Sequence, residues 1–372
     1  MTIVIGVSLA LYAWRAPTLG LAKAPRAFDP VSRESLLLAN NVLLAVALLA
    51  VMLGTLYPLF IDALNLGKIS VGPPYFDAVF FPLMAPALFL MAIGPTARWR
   101  EESIPTLAKR LKWAAVLALV SALLVPFIMG KWSAMVAFGL LLAFWIIAAC
   151  ATAIIHRFRT TPRTGILAKL GANSTSYYGM HAAHVGIAVF VIGVTLVKGY
   201  ETERDVRMKP GDVVSEGGFD FKFISVGDKV GPNYRAIAGR FEVSRGGVLV
   251  REMSPEKRTY TAMGQTMTEA DIASGFTRDL YVSLGEPVEG ATDGAWGVRV
   301  YVKPFINWIW FGCLIMAFGG FLAILDRRYR IKVKNTSIDA GFQPVAPPAP
   351  KSPEGSKRRR FVAGAAKSGA GD

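Results

Sequence analysis

Two cysteines and three histidines are all that 372 residues provide of the side chains that most often hold metals or form disulfides. Cys150 and Cys313 both fall inside apolar runs, so no extracytoplasmic disulfide is expected within the chain. The absence of a CxxC pair removes the usual zinc site and the dithiol redox centre. A Walker loop is missing, and no Ser-His-Asp or Cys-His spacing points to nucleophilic catalysis. The N-terminus lacks the charged n-region and cleavage site of a signal peptide. Charged residues make up only 18% of the chain.

Hydrocarbon fills the gap. Apolar residues reach 53% and mean hydropathy is +0.41, more than a soluble core needs. Six runs approach or exceed the roughly 20 residues of a membrane-crossing helix: Asn40 to Asp62, Ala78 to Ala97, Trp113 to Ile128, Trp132 to Ile155, Tyr177 to Val197 and Phe305 to Leu325. A seventh, Thr2 to Trp14, is short and reads as the tail of a helix whose beginning is missing. The net charge of +15 could suggest nucleic acid, but its placement points to orientation instead. With loops assigned alternately to two sides, roughly 24 of the 41 Lys and Arg fall on one side. That side is expected to be cytoplasmic, so Lys198 to Lys303, with nearly balanced charge, is expected outside.

The expected organisation is a helical region over 1–197, a β-rich extracytoplasmic domain over 198–304, a last span over 305–326, and a basic, disordered cytoplasmic tail over 327–372. Ser32-Arg33-Glu34-Ser35 before three leucines reads as a short capped amphipathic helix feeding the second span. The stretch 67–76 reads as a turn-rich loop, and Pro82 and Pro86 suggest a kinked or extended entry to the third span. Strand character appears at Phe219 to Val226, Arg235 to Ser244, Val248 to Met253, Asp279 to Leu284 and Trp296 to Val302, with Gly246-Gly247 as a hairpin turn.

The histidines divide by position. His156 precedes Arg157 at a helix end and reads as a solvated interfacial residue. His181 and His184 lie inside a span, where polar side chains are costly. At about 100° per residue, Gly179, Ala183, Gly186, Phe190 and Gly193 form one face, four of the five being small and suited to close packing. Tyr177, His181, His184, Ala188, Val191 and Thr195 form the opposite, more polar face. Such histidines either hydrogen-bond a neighbouring helix or ligate a metal, and imidazole is a common axial ligand of haem iron. Three residues apart on one helix, they cannot take opposite faces of one haem. In the β-rich segment, Met208, Met253, Met263 and Met267 remain weak candidates as ligands.

A set of short motifs carries a resemblance: SRESLLLANNVLL from Ser32, LGTLYPL from Leu53, KISVGPPYF from Lys68, SYYGMHAAHVG from Ser176, ERDVRM from Glu203, TRDL from Thr277 and KPFINWIW from Lys303. Together they resemble the CcmF family of cytochrome c-type biogenesis proteins, from the first loop to about Arg330 and over the C-terminal half of the family pattern only. The resemblance implies a haem lyase component in the inner membrane. It would assist attachment of haem to the CxxCH cysteines of apocytochrome c outside the cytoplasm and hold a transmembrane b-type haem that reduces the incoming haem. The family's ligand histidine maps onto His184, with His181 and Tyr177 as neighbours one step removed from the iron. No catalytic residue is assignable in this chain. The tryptophan-rich WWD segment, the external haem-cradling histidines and the other b-haem ligand have no counterpart here. A split gene, with a separate N-terminal polypeptide, or a truncated sequence would account for that and for the short first span. Implied partners are that N-terminal half, other maturation subunits with a haem chaperone, and apocytochrome c, with haem as transient substrate and no nucleic acid.

The fold class expected is therefore a polytopic α-helical membrane protein of about seven spans, the first incomplete, with a small β-rich domain between the last two. A non-catalytic scaffold whose external domain docks apocytochrome or partner subunits is the competing reading. A transporter is disfavoured by the few charges within spans and the lack of an inverted repeat.

Overall fold

The computed structural model describes residues 2–15, 29–262, 264–288 and 294–326. The tail expected over 327–372 and Met263 lie outside these residues. Among these residues, eight α-helices and ten strands follow in chain order: α1 Thr2–Arg15, α2 Arg33–Ala63, α3 Pro73–Ile93, α4 Ile104–Ile128, α5 Ala134–Thr160, α6 Ile166–Leu170, α7 Thr175–Tyr200, then β1 Thr202–Met208, β2 Val213–Glu216, β3 Phe219–Val230, β4 Tyr234–Arg245, β5 Val248–Met253, β6 Glu256–Tyr260, β7 Thr266–Glu269, β8 Asp271–Ala273, β9 Arg278–Pro287, β10 Trp296–Pro304 and finally α8 Ile306–Ile324. Among the described residues, six helices are long and apolar enough to cross a membrane: α2, α3, α4, α5, α7 and α8.

Two expectations for the entries to these spans change. Ser32 does cap a helix, its hydroxyl accepting from the Ser35 amide at 3.2 Å, but the helix runs unbroken from Arg33 to Ala63 rather than forming a separate amphipathic piece. Pro73 and Pro74 open α3, where a missing N–H costs nothing. The helix is thus already formed when it reaches Pro82 and Pro86, which lie inside it with no extended entry.

The bundle is packed by small side chains. On α4, Ala114, Ala118 and Ala122 recur every fourth residue and are all buried, bringing that helix close to α5, whose Leu140, Ala143 and Ile146 are buried in the same cluster. Trp145 stacks on Phe89 of α3 and donates its indole N–H to the Phe89 carbonyl at 3.1 Å. By contrast, α2 buries little beyond Ala47 and Gly54. Its apolar surface is large for a helix within a bundle.

The tightest contact joins α7 to α8. A Cβ added at Gly186 would stand 2.6 Å from the Met316 amide nitrogen, and one at Gly312 would stand 2.5 Å from that of Phe190. Gly179 and Gly319 repeat the arrangement one heptad away, against Gly319 and Ala183 respectively. Glycine here is required by backbone-to-backbone approach, as in close-packed membrane helix pairs.

Between α7 and α8 the chain folds as a β-sandwich. One sheet runs β1-β10-β9-β8, and the other β2-β3-β4-β6-β7 with β5 also on β4. All pairings are antiparallel. Alternate residues point inward: Phe219, Phe221 and Phe223 of β3 and Phe241 and Val243 of β4 meet Leu280, Val282 and Leu284 of β9 and Val298 and Val300 of β10. Phe223 and Phe241 stack with centroids 4.7 Å apart. Gly246 and Gly247, at φ of 56° and 81°, turn β4 into β5 as expected of a two-residue hairpin.

Replacing Gly186 with Leu should separate α7 from α8, because the obstructing atoms are main chain and cannot retreat. A loss of roughly 1–3 kcal/mol or more is expected for such overpacking, read as a lower melting midpoint in detergent. Gly320→Ala, which adds a Cβ with nothing within 4 Å, should leave the midpoint unchanged.

Candidate functional site

The histidine helix begins at a cap. The Ser174 hydroxyl accepts from the Tyr177 amide at 3.2 Å, and the buried Asp326 carboxylate, just past the end of α8, accepts from the Ser176 amide at 3.1 Å. A carboxylate there also complements the positive end of the helix dipole. Sequence reasoning missed Asp326, although an acidic residue directly after an apolar run and before a basic one was a visible signal.

Six and nine residues into this helix come His181 and His184, about 9 and 14 Å along its axis at 1.5 Å per residue. Both lie in the half nearer the end opposite the sandwich. His184 is half-buried, and its Nδ1 stands 2.7 Å from the Met180 carbonyl oxygen. A carbonyl only accepts, so Nδ1 carries the proton and the Nε2 lone pair is left available. No other hydrogen bond to His184 is found among the described residues.

His181 is 3% exposed, and neither of its ring nitrogens has a hydrogen-bond partner. A buried imidazole left so is costly, which marks the place as one where a further polar partner is needed. Its ring meets that of Tyr177 edge-on at 4.6 Å. Tyr177 is half-buried and meets Tyr178 in the same manner at 5.5 Å. The three candidate residues are thus brought to one flank of α7, whereas His156 is exposed at the end of α5. The described residues contain no cluster of three or more His, Cys, Asp or Glu able to hold a metal ion.

The two faces expected for α7 fare differently. Gly179, Ala183, Gly186, Phe190 and Gly193 do all meet α8 at close range. The opposite face is not a continuous polar stripe. Ala188 is fully buried, and Thr195 packs against Gly139 of α5, where an added Cβ would fall 2.5 Å from its hydroxyl. Only the portion from Tyr177 to His184 gathers polar groups, while the portion near Thr195 is covered by α5.

Two of the short motifs prove to be joints between the sandwich and α8. Asp279 of the TRDL stretch accepts from the Ser274 hydroxyl, the Gly275 amide and the Asn307 side-chain amide, each at 3.0 Å. Asn307 and Trp308 of the KPFINWIW stretch donate in addition to the carbonyls of Gly275 and Phe276. In the ERDVRM stretch, Asp205 of β1 accepts two hydrogen bonds from Arg299 of β10, and the Arg299 guanidinium holds its carboxyl below the ordinary carboxylate range.

Comparison with known proteins gives this arrangement a family. Residues 199–304 match the CcmF C-terminal beta-sandwich. The chain is 46% identical over 344 residues to the cytochrome c-type biogenesis protein CcmF of Pseudomonas aeruginosa, covering 91% of this chain and 50% of that protein. It is 44% identical over 336 residues to CcmF of Escherichia coli, covering 90% and 49%. A solved structure, of the cytochrome c heme lyase CcmF, shares the fold with a TM-score of 0.63 at 22% identity, over 80% of this chain and 46% of that one. The chain spans about half the length of the curated relatives it matches.

Asp326→Ala should loosen the start of the histidine helix at a cost of about 1 kcal/mol, the usual value of a lost cap. Faster hydrogen exchange at the first amides of α7, with the sandwich amides unchanged, is the expected reading. With its sandwich slung between two glycine-packed spans and its motifs at the joints, the chain belongs to the CcmF family of cytochrome c-type biogenesis proteins.

Proposed function

We propose that the chain is a component of the cytochrome c maturation haem lyase that holds a transmembrane b-type haem through His184 and assists covalent attachment of haem to CxxCH motifs of apocytochrome c. The observation that carries this reading is the His184 ring itself. Its Nδ1–H is spent on the Met180 carbonyl at 2.7 Å, which sets the tautomer and orients the ring, as hydrogen-bond partners of ligating histidines do. A donor set of one neutral imidazole with a free Nε2 inside an apolar span fits one axial position of haem iron. Bound there, haem would supply one-electron redox chemistry.

This chain's own residues then have separate tasks. His184 would hold the haem through its Nε2 lone pair, and the Met180 carbonyl fixes the direction of the ring. Buried His181, with both nitrogens unpaired, offers a hydrogen-bond donor and an acceptor beside the ring, and Tyr177 closes the adjoining edge. A second residue to hold the haem would come from another polypeptide or segment, the N-terminal half of the family protein, which would also bring the platform for incoming haem. Other maturation subunits, a haem chaperone and apocytochrome c complete the assembly. The exposed apolar surface of α2 is where such a segment would find spans to pack against.

The distribution of Lys and Arg supports a bacterial inner-membrane topology with the sandwich in the periplasm and the C-terminus in the cytoplasm. Alkaline phosphatase fused at the sandwich should be active, and the same fusion after Asp326 inactive. Co-expression with the N-terminal half should yield a low-spin b-type absorption spectrum that His184→Ala abolishes. His181→Ala should retain the spectrum with a shifted potential. Survival of the low-spin spectrum in His184→Ala would remove the ligand assignment.

A further inference from the structure

We propose that the junction between the spans and the sandwich is a binding site for the phosphodiester headgroup of an anionic phospholipid. A cavity of about 390 Å³ opens there. Its walls include Lys131 from the loop joining α4 to α5, Tyr200 at the end of α7, Phe305 at the start of α8, and Phe219, Arg245 and Arg278 from the sandwich. Four apolar helices end around it, at Ile128, Ala134, Tyr200 and Ile306, which sets it at the height where hydrocarbon gives way to headgroups.

Its charge is one-sided. The Arg278 guanidinium lies over the Phe219 ring at 4.3 Å and that of Arg245 over the same ring at 5.3 Å. Neither forms an ion pair among the described residues. Glu201, the one acidic residue in the wall, is turned to Lys303 at 3.8 Å. Asp279, next in sequence to Arg278, is saturated by Ser274, Gly275 and Asn307. Arg278 Nε is buried with no acceptor, and burial, followed by the charge of Arg245, lowers the pKa of the guanidinium from its ordinary value.

Two arginines gathered on one aromatic ring without a counter-ion are unfavourable until an anion enters between them. A phosphodiester supplies two oxygens that match the guanidinium fork. Lys131 adds a third positive charge from the span side, as expected for recognition of an anionic lipid. Val302 and Phe305 give the glycerol end an apolar wall. The inference rests on the membrane-spanning fold and stands whether or not His184 ligates haem.

The test is native mass spectrometry and thermal melting of the full detergent-solubilised chain with phosphatidylglycerol, phosphatidylcholine or inorganic phosphate. Wild type should retain one phosphatidylglycerol in preference to phosphatidylcholine by about tenfold, the scale of a charge-assisted hydrogen bond. Arg245→Gln, at an exposed position that leaves the core intact, and Arg278→Gln should each abolish the preference, whereas Arg251→Gln on an exposed strand face should keep it. Equal retention of both lipids by wild type would overturn the proposal. Undiminished retention in Arg245→Gln would do so as well. Stabilisation by inorganic phosphate equal to that by phosphatidylglycerol would reassign the site to a free oxyanion.

Discussion

Everything in this protein hangs on the main-chain contact between α7 and α8. Glycines at 179, 186 and 193 on one helix and at 312 and 319 on the other let the two backbones touch. In a membrane no hydrophobic drive separates helix from lipid, so close van der Waals contact of this kind is what holds spans together. The same contact sets the rotation of α7 about its axis. With one face committed to α8, the flank bearing Tyr177, His181 and His184 has its direction decided.

The sandwich is an insertion between these two helices, and the pair keeps its ends together. The chain leaves α7 at Tyr200 and re-enters α8 at Ile306, so β1 and β10 begin and end side by side and pair directly, Thr202 opposite Val302. Asp279 and Asn307 then pin the sheet to the top of α8, and Asp326 ties its bottom back to the start of α7. A single closed frame results, with the candidate haem ligand on one upright and the cationic cavity at the join between frame and sandwich. Burying His181 without a partner is a cost that such a frame can sustain, since packing elsewhere holds the helix in place.

How much of this could be seen beforehand depended on whether the information was local. Five strands announced themselves by alternating apolar residues, and the Gly246-Gly247 turn by its need for positive φ. Strands β1, β2, β6, β7 and β8 did not. β1 reads Thr-Glu-Arg-Asp-Val-Arg-Met, a mostly polar stretch that turns only Val206 and Met208 to the core, and β10 beside it, with Arg299 gripping Asp205, makes it a strand. Pro82 and Pro86 misled for the converse reason: the local rule marks a break, while the helix around them had begun at Pro73. The polar stripe on α7 was half right, since periodicity places residues on a face but does not say which helix crosses it.

The order of residues alone determined the membrane class, the number of long apolar runs and the position of the β-rich insertion, because hydropathy and side-chain periodicity are properties of consecutive residues. The small-residue face of α7 belongs to the same kind, as its heptad spacing is written in one helix. Only the folded chain decided what that face meets, that Nδ1 of His184 is committed to Met180, that both nitrogens of His181 are left without partners, and that Arg245 and Arg278 share one aromatic ring. Those facts depend on atoms distant in sequence or on the rotamer that packing selects, and neither is encoded in the spacing of residues along the chain.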